Sequence, residues 1–132
     1  MAQHIVSEGS QVVDAESFSA FLDVSRETMD RLAQYESLLL KWQKSINLVS
    51  AGTLAELWRR HMLDSAQLAM LAPEGARRWA DLGSGGGFPG LVISILLAGQ
   101  PGFEMHLVES DQRKCIFMRE VAGAPGAPAT IH

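Results

Sequence analysis

Only one cysteine, Cys115, occurs in 132 residues. It excludes a disulfide framework within the chain and fits a reducing compartment, so the expected location is cytoplasmic. No apolar run approaches the roughly 20 residues that a membrane span needs; the densest, Leu91 to Ala98, is short and interrupted by Ser94. The opening Met1-Ala-Gln-His-Ile has neither the charged start nor the apolar stretch of a secretory signal, so no export is expected. Positive charge is scarce too: a net charge of -4 argues mildly against nucleic acid, whose phosphates usually call for a basic footprint. That deficit is local. Residues 1-36 hold seven acids against Arg26 and Arg31, whereas Lys41, Lys44, Arg59, Arg60, Arg77 and Arg78 share a stretch with only Glu56, Asp64 and Glu74. A modest basic face and a solvated helix surface are both open readings. What the chain has in quantity is apolar side chains, 47%, enough for one ordinary domain.

Residues 1-15 are polar and aperiodic and are expected to form a flexible tail. Residues 16-75 read as helix throughout. Phe18, Phe21 and Leu22 share one stripe of a short helix. Ser25 is placed to cap a longer one reaching Lys44, with Met29, Leu32, Leu39, Leu40 and Trp42 available for burial, and Ser45-Ile46-Asn47 breaks it. Thr53-Leu54-Ala55-Glu56 has capping-box spacing, so the next helix is expected to start at Thr53, with Leu54, Leu57, Trp58 and Met62 on its core face. A further turn from Asp64-Ser65 reaches Leu71, and Pro73-Glu74-Gly75 ends it. From residue 76 the pattern changes. Arg78 to Leu82 reads as a strand, Pro89 to Leu97 as a helix and Phe103 to Val108 as a second strand. A helix capped by Ser110 or Asp111 then runs to Val121, and Ala129 to His132 opens a third strand. Strands alternating with helices imply a doubly wound α/β sheet with parallel pairing.

The strand-to-helix turn carries the chemistry. Asp81-Leu82-Gly83-Ser84-Gly85-Gly86-Gly87-Phe88-Pro89-Gly90 places five glycines in eight residues at the carboxyl end of a parallel strand, where nucleotide-type cofactors bind. Glycine permits the turn's backbone angles and lets a ligand approach main-chain amides. A tight connection without a ligand is the bland alternative, but so many glycines cost backbone entropy that a plain turn does not require. Two acids point to the ligand. Asp81, two residues before Gly83, would repel a diphosphate and attract the amino group and sulfonium of S-adenosylmethionine. Glu109, at the end of the second strand, suits two ribose hydroxyls. Gly85 to Gly90 also matches a dinucleotide pattern in a shifted frame, so NAD stands as the alternative, weakened because Pro89 would remove an amide. Phe88 can stack near the adenosine or cover the core. Cys115, among Ile116, Phe117 and Met118, reads as a buried thiol rather than a nucleophile. His61, His106 and His132 lack metal-ligand spacing, so no metal is expected.

From Leu39 onward the chain resembles the bacterial small-subunit ribosomal RNA guanine-N7 methyltransferases, the RsmG family, formerly called glucose-inhibited division protein B. The resemblance rests on Leu40-Lys41-Trp42, Ile46-Asn47-Leu48-Val49, Arg60-His61-Met62-Leu63-Asp64-Ser65, the glycine turn, and Leu107-Val108-Glu109-Ser110 with Lys114 and Phe117. It implies a Rossmann-like class I S-adenosylmethionine-dependent methyltransferase fold with an N-terminal helical extension. Residues 76-132 would be the first, incomplete part of its parallel sheet, since such sheets normally have seven strands. It also implies methylation of N7 of one guanine in 16S rRNA, within or apart from the small ribosomal subunit, by a cytoplasmic protein that is monomeric at full length and touches neither membrane nor metal. Carried over, Gly83 and Phe88 would contact the cofactor, with Asp81, Gly85, Gly87 and Glu109 completing the pocket. Asn47, Arg60, His61 and Asp64 match the family's other block, where an Arg60-Asp64 pair is expected to staple the helical layer rather than meet RNA. Guanine N7 carries a free lone pair at neutral pH, so no catalytic acid or base is expected. Two alternatives stand: a non-catalytic truncated fragment or assembly module, and a small-molecule methyltransferase with the same turn.

Overall fold

A computed structural model describes residues 11-123 and 127-132. Most of the expected tail, residues 1-10, lies outside the described residues. Its last part is anchored: Val12 is 1% exposed, and Asp14 caps helix α1 (Ala15-Leu22) by accepting from the Ser17 amide at 2.9 Å while Ser17 Oγ accepts from the Asp14 amide at 3.1 Å.

Helix α2 (Arg26-Gln43) begins at Ser25, whose hydroxyl accepts from the Thr28 amide at 3.1 Å. It buries Leu32, Tyr35 and Leu39, which at spacings of three and four lie on one stripe. Leu40 was a candidate for the core but is 44% exposed, because one residue beyond Leu39 turns it about 100° away from that stripe. The break after α2 is a built turn: Gln43 donates to the Val49 carbonyl at 2.7 Å and accepts from the Leu48 and Val49 amides at 3.1 and 3.2 Å.

The expected cap at Thr53 is corrected. Helix α3 (Ala51-Leu54) is capped three residues earlier, by Ser50, which accepts from the Thr53 amide at 3.3 Å. Glu56 pairs instead with Arg59 and Arg60. Ser50 stands at the same three-residue spacing before Thr53 and supplies the first hydroxyl available to the free amides. A π-helical turn (Trp58-Leu63) leads directly into α4 (Asp64-Leu71). The expected Arg60-Asp64 staple is absent; Arg60 lies 3.2 Å from Glu56, since the wider π turn changes which residues four apart face one another.

The sheet is β1 (Arg78-Leu82), β2 (Glu104-Val108) and β3 (Ala129-Ile131), in that spatial order and all parallel, with Asp81 opposite Leu107 and Leu107 opposite Ile131. Helix α5 (Gly90-Leu96) has every residue from Gly90 to Ile95 buried and packs on β1, β2, α2, α4 and α6 (Gln112-Gly123). A helix apolar all round belongs inside, and α5 is the layer between sheet and helical extension. One tryptophan joins these layers, Trp42 Nε1 donating to Glu120 of α6 at 2.9 Å, and another ties the π-helical turn to α2 within the helical layer, Trp58 Nε1 donating to Glu36 at 2.7 Å; each indole N-H is satisfied as its ring is partly or wholly buried. No helix among the described residues is long and apolar enough to cross a membrane.

Gly90 sets how closely α5 approaches β1, because a Cβ there would collide with Leu107 and come within 2.9 Å of the Asp81 carboxylate. Gly90→Ala is therefore expected to cost about 1–3 kcal/mol through overpacking, read as a fall in the urea unfolding midpoint; an unchanged midpoint would show that the helix can slide outward freely.

Candidate functional site

Beyond Leu82 the chain enters a turn in which Gly83, Gly85 and Gly87 all have positive φ, at 75°, 56° and 95°. The turn is tied to the neighbouring strand because the Gly83 and Ser84 amides both donate to the Val108 carbonyl, at 2.8 and 3.1 Å. Ser84 Oγ donates back to the Asp81 carbonyl at 3.0 Å, and the Gly87 amide donates to the Ser84 carbonyl at 2.8 Å.

The glycines divide by what surrounds them. A Cβ at Gly83 or Gly85 would meet nothing within 4 Å, so these positions border open space. At Gly86 it would lie 3.0 Å from the Leu48 carbonyl oxygen, and at Gly87 it would strike Leu91 and lie 2.6 Å from the Tyr35 hydroxyl. Gly83 and Gly85 thus leave room for a ligand, whereas Gly86 and Gly87 are small so that the helical layer can press against the turn.

Glu109 follows β2 directly. Its carboxylate accepts from the Gly85 amide at 2.7 Å and the Asp111 amide at 2.9 Å. These backbone bonds, Asp111 first and then Gly85, with Lys114 nearby, hold its pKa below the ordinary carboxylate value. Glu109 is consequently an anion at neutral pH, and two carboxylate oxygens accept more hydrogen bonds than two amides supply. Asp81 behaves oppositely. Burial raises its pKa, the charge of Glu109 adds to the rise, and the bond accepted from the Gly90 amide at 3.1 Å only offsets it. A half-buried carboxylate of this kind gains from a cation placed beside it.

Phe88 lies between two rings, Tyr35 at 5.1 Å and 20° and His61 at 4.9 Å and 31°, and is partly buried against the core. His61 Nε2 is 2.8 Å from Thr53 Oγ1, and burial lowers its pKa, so the imidazole is neutral at physiological pH. Of the block Asn47, Arg60, His61 and Asp64, only His61 is brought against the turn. Asn47 accepts from Gln43 at 3.2 Å, and Arg60 is held by Glu56. The stretch with the most cations does not form one free face: Arg59 and Arg60 pair with Glu56, Arg78 with Glu104, and Arg77 donates to the Pro101 carbonyl. Cys115 is buried beneath the site, its thiol 3.3 Å from the Glu109 carbonyl.

A cavity of about 500 Å³ lies along β1, lined by Leu68, Leu71, Trp79, Met105 and others, and it includes Asp81 and Gly90 but neither Gly85 nor Glu109. It is a mostly apolar space on the Asp81 side of the turn.

Sequence reasoning missed Tyr35, whose hydroxyl donates to the Gly86 carbonyl at 2.6 Å. The signal was present: a tyrosine in a stripe with Leu32 and Leu39 must bring a partner for its hydroxyl. Leu48 and Gln43 were missed as well, because they act through backbone contacts that no residue type announces.

Residues 28–128 match the model of a family described as rRNA small subunit methyltransferase G. Curated relatives carry the name ribosomal RNA small subunit methyltransferase G. That of Parvibaculum lavamentivorans is 77% identical over 132 residues, covering all of this chain and 58% of the relative. That of Rhodospirillum centenum is 60% identical over 118 residues, 89% of this chain and 53% of the relative. That of Paramagnetospirillum magneticum is 57% identical over 108 residues, 82% and 51%. The chain spans little more than half the length of these relatives.

The opposed acids give a test of the site without ligand. Because burial raises the native pKa of Asp81 above its unfolded value of 3.8, its charge opposes folding at neutral pH and stops doing so once protonated. Asp81→Asn is expected to raise stability at pH 7 by about 1 kcal/mol or less. The gain should fade as pH drops through the raised native value towards 3.8. Urea midpoints at pH 7 and pH 4 check this, and an Asp81→Asn protein less stable at pH 7 would contradict it.

Proposed function

The chain belongs to the rRNA small subunit methyltransferase G family, and from that premise we propose that it binds S-adenosylmethionine at the Gly83 to Gly90 turn and methylates N7 of a guanine in 16S rRNA. The observation that carries the cofactor assignment is Glu109. Its ionised carboxylate sits 2.7 Å from the Gly85 amide, with open space at Gly83 and Gly85. That arrangement suits a neutral diol and a backbone-hugging ligand, while Asp81 nearby disfavours a diphosphate and suits a cation. Glu109 suits the ribose of either cofactor, and Asp81 beside the turn favours the cationic S-adenosylmethionine over the diphosphate of NAD.

When bound, the cofactor supplies an electrophilic methyl group. The chain's residues bind and orient. Glu109 accepts from the ribose hydroxyls, Asp81 faces the positive end, and Gly83 and Gly85 let the ligand reach the main chain. Gly87 and Phe88 support the turn from behind, where Tyr35, Leu91 and His61 touch them. No residue needs to remove a proton, since guanine N7 is already a nucleophile, and alignment supplies the rate. The assignment of 16S rRNA, in or out of the small subunit, follows the relatives' names. A cytoplasmic protein, monomeric at full length and without metal, is the consistent setting.

Incubation of the full-length protein with small-subunit RNA from cells lacking this modification, followed by mapping of 7-methylguanine, tests the reading. Methyl transfer to one guanine is expected. Transfer to a protein or small molecule would overturn it, and cofactor binding with no transfer would favour a non-catalytic module. By calorimetry, Glu109→Ala should weaken S-adenosylmethionine binding at least roughly tenfold, about 1.4 kcal/mol; unaltered affinity would remove Glu109 from the pocket.

A further inference from the structure

The Gly86-Gly87 peptide is gripped at both ends. Its carbonyl accepts from the Tyr35 hydroxyl at 2.6 Å, across 51 residues of sequence, and its N-H donates to the Ser84 carbonyl at 2.8 Å. Tyr35 is fully buried, and burial pushes its pKa well above 10.0, so the phenol keeps the proton it donates. The ring stacks on Phe88, the next residue but one after Gly86, which His61 covers from another side. Leu48 abuts Gly86, and the Tyr35 hydroxyl occupies the space that a side chain at Gly87 would need. Three parts of the helical extension therefore touch the turn: α2 through Tyr35, the turn before α3 through Leu48, and the π-helical turn through His61. All three meet residues 86–88, and none meets the open positions at Gly83 and Gly85.

We propose that the Tyr35 hydroxyl is a positioning group for the cofactor turn. By fixing the Gly86 carbonyl it sets the orientation of the Gly86-Gly87 peptide, and through the intervening Gly85-Gly86 peptide it keeps the Gly85 amide aimed at Glu109 and Gly83 and Gly85 open to the ligand. Only the ligand's identity rests on the function proposed above. The helical extension then serves the cofactor site directly, through one hydrogen bond and one aromatic stack. A phenylalanine at position 35 keeps the stack and removes the bond, leaving a buried carbonyl unsatisfied.

The test compares wild type, Tyr35→Phe and Val121→Ala by site-resolved amide hydrogen exchange and by calorimetry with S-adenosylmethionine. Val121 is a buried residue of α6 that serves as a control for lost stability alone. In Tyr35→Phe, the amides of residues 83–88 and 90 are expected to exchange roughly tenfold faster while those of β2 hold their rates, and the Kd to rise about tenfold, a change near 1.4 kcal/mol. Val121→Ala should lower the thermal midpoint without a selective change at the turn or in Kd. Turn and strand amides accelerating together in Tyr35→Phe, as in any softened fold, would overturn the proposal, and so would a loosened turn with unchanged affinity. A wild-type chain that binds no S-adenosylmethionine would count against the function proposed above, while the exchange comparison would by itself still decide whether the phenol holds the turn.

Discussion

Everything at this site depends on the glycine turn holding one backbone path while its neighbours crowd it from two sides. From the sheet side the Val108 carbonyl takes two consecutive amides of the turn, and Glu109 takes a third. From the helical side Tyr35, Leu48 and His61 press on the next three residues. Five glycines would be an entropic liability in an unsupported loop. Here hydrogen bonds at nearly every step offset that cost, and the positive φ angles at Gly83, Gly85 and Gly87 are what the path requires.

Two carboxylates of similar intrinsic acidity are driven apart by this setting. Glu109 sits at the end of β2, where backbone amides converge on it, and its charge is stabilised. Asp81 sits against the first turn of α5, half-buried with one amide partner, and its charge is penalised. Environments that separate like groups in this way often mark functional sites. Here one acid is already satisfied and ready to accept neutral donors, while the other is in deficit until a cation arrives.

The helical layer, α1 to α4, is joined to the sheet by more than contact area. Helix α5 is shared by both, Trp42 bonds across to α6, and the ring column of Tyr35, Phe88 and His61 runs from α2 through the turn to the π-helical segment. A displacement of α2 would therefore reach the turn through a phenol only 2.6 Å from its carbonyl. Of the cations for which the sequence left a basic face and a solvated surface both open, Arg59, Arg60, Arg77 and Arg78 are held by local acids and a carbonyl.

Period and turn chemistry in the sequence were sufficient for the order of strands and helices from β1 onward, the parallel α/β class, the position of the turn, and the placement of Asp81 and Glu109 beside it. Those features are local or repeat at fixed spacing, so a side chain's neighbours along the chain determine them. The contacts between layers were not legible. Ser50 rather than Thr53 caps α3, Arg60 turns to Glu56 rather than Asp64, and Leu40 faces solvent. The first two depended on a competing partner or on a helical phase that the wide turn altered, and the third on which stripe of α2 faces the core. The division of the glycines, with Gly83 and Gly85 open and Gly86 and Gly87 packed, was decided only by tertiary structure, because a glycine has no side chain of its own to betray what lies against it.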